Sequence, residues 1–72
     1  MPLVELTIAE GRAPEQLRGL ISGVTTAVQE SIDVPKETIR VILREVPLTH
    51  WATGDVTLAE RQAMEGADSR TG

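Results

Sequence analysis

The residue with the most pointed chemistry in this sequence is Pro2. Initiator methionine is ordinarily trimmed when the second residue is small, and proline qualifies. Loss of Met1 leaves a free secondary amine, a compact base whose direction is fixed by its ring and which suits proton transfer near neutral pH. Around it the sequence offers three cations that grip carboxylates, Arg12, Arg40 and Arg44, the neighbours His50 and Trp51, and the carboxylates Glu10 and Glu45. It offers no cysteine or tyrosine, no Ser-His-Asp spacing and no glycine-rich phosphate loop, since Gly11 and Gly54 are isolated. Each residue also has a plainer reading, and taken singly the residues favour it. Pro2 then only opens an edge strand, the arginines are solvated or ion-paired, the carboxylates lie on the surface, and His50 and Trp51 pack a loop.

These groups must be positioned by a chain of 72 residues, enough for one small domain. Such a chain buries too little surface to be comfortable alone and is usually reinforced by disulfides, a structural metal or partner subunits. With no Cys and one His, disulfides are excluded and a zinc site is disfavoured, so a homo-oligomer is expected. The net charge of −4, seven scattered Lys and Arg residues and the lone aromatic Trp51 argue against a nucleic-acid binder. No apolar run is long enough to span a membrane, and no basic segment leads into an apolar one as in a signal peptide. A cytoplasmic location is expected.

Leu3 to Ile8 reads as a short strand, with Val4, Leu6 and Ile8 on one face and Glu5 and Thr7 on the other. Gly11 punctuates the loop that follows. Pro14 suits a first helical position and Glu15 the first turn. Apolar residues at Leu17, Leu20, Ile21, Val24, Ala27, Val28 and Ile32 make a one-sided stripe, so a helix is predicted from Pro14 to Ile32. Asp33-Val34-Pro35 stops it. Pro35 to Thr38 suits one short helical turn, and the β-branched run Ile39 to Val46 a second strand, with Ile39, Val41 and Leu43 under the helix and Arg40 and Arg44 opposite. Strand, helix and strand make a βαβ unit with parallel strands and a right-handed crossover. The unit leaves sheet edges and one sheet face unpartnered. Residues 47–58 suit a turn or small hairpin. The domain is expected to cover residues 1–61, with residues 62–72 a polar, disordered tail and fraying from Glu65 onward.

In their order and spacing, Pro2 opening a strand, Glu10-Gly11-Arg12, Pro14-Glu15-Gln16, Ile39-Arg40-Val41-Ile42, His50-Trp51 and Gly54 resemble the 4-oxalocrotonate tautomerase family. The resemblance runs to about Leu58. It implies an α/β (α+β) fold in which two βαβ chains with C-terminal hairpins dimerise into a four-stranded sheet carrying two antiparallel helices. Three such dimers form a hexamer whose pockets draw residues from more than one chain. It implies an isomerase of aromatic catabolism with Pro2 as general base, Arg12 and Arg40 as catalytic and substrate-binding cations, and Trp51 as a substrate-binding aromatic where phenylalanine is usual. The implied substrate is a small dicarboxylate or 2-oxo acid of the 2-hydroxymuconate type, whose dienol becomes a conjugated 2-oxo acid. No metal or organic cofactor is implied.

The physics fits that role. An α-amine starts at a pKa of about 7.7–8.0. A guanidinium about 5 Å away, at an effective dielectric of about 20, disfavours its protonation by roughly 3 kcal/mol. An apolar wall acts in the same direction by desolvation. Departures concern substrate more than reaction: Ala9 and Thr53 stand where larger apolar residues are usual, Asp55 where a second glycine is common, and Arg44 adds a positive charge on the same strand face as Arg40 unless a facing subunit neutralises it. Two other readings stay open. One is acrylate dehalogenation or hydration, which needs a carboxylate to activate water. The other is a non-catalytic subunit of a hetero-oligomer, against which the joint presence of Pro2, Arg12 and Arg40 argues.

Overall fold

Alternation of apolar and polar residues builds the two long strands. In the computed structural model, which describes residues 1–69, β1 spans Leu3–Ala9 and β2 Arg40–Val46. They pair in parallel without interruption from Leu3 opposite Arg40 to Ala9 opposite Val46. Val4, Leu6 and Ile8 of β1 and Val41 and Leu43 of β2 are half-buried, while Leu3, Glu5, Thr7, Arg40, Ile42 and Arg44 are exposed. A period of two has therefore sorted the strands into a covered and a bare face.

The connecting helix α1 spans Pro14–Ile32 and packs on β2. It begins where Pro14 loses nothing by lacking an N–H, and the Ala13 N–H donates to Gln16 Oε1 at 2.9 Å. It ends at Asp33, whose φ of 55° is left-handed and whose N–H donates to the Gln29 carbonyl at 3.0 Å. A single 3-10 turn, Lys36–Thr38, leads into β2. Its last bond takes up the Ile39 N–H, so β2 starts one residue later than the β-branched run predicts.

After β2 the chain makes a second 3-10 turn, Leu48–His50, and the expected hairpin of β3, Ala52–Thr53, and β4, Val56–Thr57. Its turn is Gly54-Asp55, with Gly54 at φ 64°. Positive φ at the first central residue alone is the II′ pattern, in which glycine carries no Cβ penalty.

The main departure from the sequence reading comes next. Residues 58–69 form a helix, α2 (Leu58–Ser69), whose residues 62–69 fall in the stretch expected to be a polar, disordered tail. The cause is local. The Thr57 N–H donates to Glu60 Oε1 at 2.9 Å and the Glu60 N–H donates to Thr57 Oγ1 at 3.0 Å, a reciprocal capping box. Of the tail, residues 70–72 lie outside the described residues.

Among the described residues none is fully buried in the single chain. Leu3 is 55% exposed and Ile42 42%, both on the bare sheet face. No helix among the described residues is long and apolar enough to cross a membrane.

Candidate active site

Because β1 and β2 are parallel, both begin at the same end of the sheet, and this end holds Pro2 and Arg40. The Arg40 N–H donates to the Pro2 carbonyl at 3.0 Å, extending the β ladder one residue beyond β1. The bond fixes the backbone of Pro2 against that of Arg40, with the next paired position, Leu3 opposite Arg40, locking the register. Neighbouring strands lie roughly 4.8 Å apart, so the two backbones are adjacent, while the side chain opposite Arg40 in the register is that of Leu3. Pro2 is half-buried and Arg40 exposed.

Arg12 and Trp51 lie at the opposite end. Arg12 follows the exit of β1, beyond Gly11, whose φ of 126° is closed to most side-chain-bearing residues. The Glu10 N–H ties this exit to β2 by donating to the Val46 carbonyl at 2.9 Å. Trp51 follows the exit of β2, between the Leu48–His50 turn and β3, and is half-buried. Its carbonyl accepts the N–H of Leu58, the first residue of α2, at 2.7 Å. Arg12 is exposed on its loop. Seven-residue strands at roughly 3.3 Å per residue hold the two ends roughly 20 Å apart. Within one chain, then, the four candidate residues form two pairs: Pro2 with Arg40, and Arg12 with Trp51.

Arg44 is ion-paired, as the plainer reading of the arginines has it. Its Nη2 donates to Glu5 Oε2 at 3.0 Å across the bare face, so it has a counter-charge within its own chain. The pair leaves Arg40 as the cation of that strand nearest Pro2. His50 ends the 3-10 turn, exposed, and its N–H donates to the Pro47 carbonyl at 2.8 Å. A groove of about 440 Å³ runs beside α1 between Arg18, Ser22, Thr26, Gln29 and Lys36, but it contains none of the candidate residues and is not taken as the reaction site. Among the described residues no group of three His, Cys, Asp or Glu side chains is arranged to hold a metal ion. Sequence reasoning missed Thr57 and Glu60, which tie α2 to the loop of Trp51; the Thr-x-x-Glu spacing at 57–60 was the available signal.

A proline at the head of a parallel βαβ unit, with an arginine beside it and a C-terminal hairpin, is matched by a family model for tautomerase enzymes over residues 2–61. The chain belongs to the tautomerase family. Its fold is the small α+β arrangement of the 4-oxalocrotonate tautomerases, and as a tautomerase it is an isomerase. It is 44% identical over 54 residues to the 2-hydroxymuconate tautomerase of Pseudomonas putida, covering 75% of this chain and 86% of that protein. Among solved structures it superposes on TomN, a 4-oxalocrotonate tautomerase homologue of the tomaymycin biosynthetic pathway, with a TM-score of 0.83 and 39% identity over 86% of this chain and 95% of that one. A heterohexameric 4-oxalocrotonate tautomerase from Chloroflexus aurantiacus gives a TM-score of 0.79 at 40% identity over 83% and 97%. Residues 62–72 lie beyond the span that the family model matches.

Proposed function

We propose that this tautomerase converts an unsaturated 2-hydroxy acid of the 2-hydroxymuconate type into the conjugated 2-oxo acid, with Pro2 as the base. The observation that carries this reading is the backbone hydrogen bond from the Arg40 N–H to the Pro2 carbonyl, which holds the candidate base at the head of the sheet, at the same end as Arg40. With Met1 removed, the Pro2 nitrogen takes the proton of the 2-hydroxyl. The oxygen lone pair becomes the carbonyl π bond, the double bonds shift along the chain, and the distant carbon receives the proton back from the Pro2 ammonium. Atoms and charge balance without a metal or organic cofactor. Arg40 keeps the amine neutral before reaction and attracts the developing dienolate. Arg12 grips a substrate carboxylate, and Trp51 supplies an apolar wall.

The two residue pairs at opposite sheet ends require a second chain to complete this site. Association of two chains with their sheets antiparallel sets the Arg12–Trp51 end of one beside the Pro2–Arg40 end of the other. Such pairing also covers an unpaired strand edge, and burial of the bare faces carrying Leu3 and Ile42 takes the dimers to a hexamer. We accordingly read the working form as a homohexamer built from dimers. The test is an ultraviolet assay with 2-hydroxymuconate on protein whose intact mass proves loss of Met1, alongside sedimentation equilibrium. Turnover by a hexamer is the expected result. A stable folded monomer, or a processed protein inert toward dienols, overturns the reading.

A further inference from the structure

The capping box of α2 lies next to a bond that ties the helix start to the backbone of Trp51. Leu58 is the first residue of α2, and its N–H is one of the four that a helix start leaves without an intrahelical partner. It donates to the Trp51 carbonyl at 2.7 Å. Next to it, Glu60 accepts from the Thr57 N–H at 2.9 Å and from Thr57 Oγ1 at 3.2 Å, while Thr57 Oγ1 accepts from the Glu60 N–H at 3.0 Å. Thr57 is also the residue paired with Ala52 across the hairpin, immediately after Trp51. The Leu58 bond ties the Trp51 carbonyl to the start of α2, Thr57 of the box pairs with Ala52 just after Trp51, and α2 packs back on the Leu48–His50 turn just before it.

From this we infer that Glu60 is a positioning residue for the substrate pocket: by starting α2 at Leu58 it holds Trp51 in place as the pocket wall. The inference rests on the proposed role of Trp51. Its structural half is readable independently, because the sequence has one Trp and neither Tyr nor Phe, so all intrinsic fluorescence comes from Trp51. A free Glu60 side chain on a solvated helix start has no reason to alter that emission.

The experiment compares Glu60→Ala, Glu60→Gln and Thr57→Val with the wild type as assembled oligomers, by Trp51 emission, acrylamide quenching and steady-state turnover of 2-hydroxymuconate. In Glu60→Ala and Thr57→Val the emission shifts to the red, quenching increases, and KM rises several-fold while kcat stays near the wild-type value. Glu60→Gln, which keeps an oxygen acceptor at the same place, restores all three. Unchanged emission and quenching in both Glu60→Ala and Thr57→Val overturn the positioning role. A red shift without any change in KM also overturns it, by separating Trp51 from the pocket. A wild-type protein without turnover defeats the functional reading instead, and the fluorescence of the variants still decides whether Glu60 sets the indole. If Glu60→Ala does not assemble, Thr57→Val, which preserves shape and removes only the hydroxyl, carries the test.

Discussion

The two ends of the β1–β2 sheet hold their candidate site residues by different means. At the Pro2–Arg40 end the sheet itself does the positioning: one more rung of the ladder, from the Arg40 N–H to the Pro2 carbonyl, fixes both backbones. At the Arg12–Trp51 end the strands have finished, and loops take over. Arg12 stands beyond a glycine in left-handed conformation, and Trp51 is held by its carbonyl to the start of α2. A base that must both take and return a proton gains from the rigid end. On the proposed function, groups that receive a flexible dicarboxylate and then release the product fit the loop end, where local opening is cheaper.

That contrast can be broken at several points. The largest expected effect is at the rigid end. Retention of Met1 converts the Pro2 amine into an amide without useful basicity, and turnover is lost almost completely while the oligomer persists. Pro2→Ala, which leaves a more flexible primary amine, retains partial activity. Intact mass together with the ultraviolet assay checks both, and a protein quantitatively carrying Met1 that turns over at the wild-type rate rules Pro2 out. The same base implies that kcat/KM climbs with pH as the amine loses its proton.

Next in size are the arginines. Arg12→Ala and Arg40→Ala each weaken transition-state binding by about 2–4 kcal/mol, read from kcat/KM on a dicarboxylate dienol. Equal activity of both variants and the wild type removes the proposed clamp.

A mixing experiment sharpens the comparison further. Met1-retaining chains and Arg12→Ala chains, each nearly inactive alone, are unfolded together and reassembled. If a site takes Pro2 from one chain and Arg12 from another, the hybrid recovers a substantial share of wild-type turnover. Recovery no better than the sum of the parents places both residues of a site in one chain.

The smallest effect is at Arg44. Its pair with Glu5 is about half exposed on both sides, and such pairs contribute less than about 1 kcal/mol. Arg44→Ala therefore shifts the denaturation midpoint slightly and leaves kcat/KM close to the wild-type value.

Much of this arrangement was legible in the residues themselves. Pro14 and the Asp33-Val34-Pro35 stop mark the observed ends of α1, because each acts through its own backbone conformation. The alternation along β1 and β2 named the covered and bare faces, because side-chain direction in a strand has a fixed period. The helix α2 escaped because it was sought through an apolar stripe, which the segment from Glu60 onward lacks, while its start is specified by two polar side chains, Thr57 and Glu60. The Glu5–Arg44 pair escaped for another reason. The two residues are 39 positions apart, and their meeting depends on strand register, which periodicity alone does not supply. The separation of Arg12 and Trp51 from Pro2 and Arg40 follows from parallel strands once it is asked which end each residue occupies; a resemblance that names the residues as one set hides that question.

In the oligomer proposed above, the solvent exclusion that no described residue reaches in one chain would be supplied by neighbouring chains. Folding and association then share a single equilibrium, and dilution acts as a denaturant. At concentrations well below the association threshold, catalytic rate falls more steeply than in proportion to the amount of protein. A cell that makes a few copies of such a chain obtains almost no enzyme from them, whereas a modest rise in synthesis past the threshold switches on the whole population.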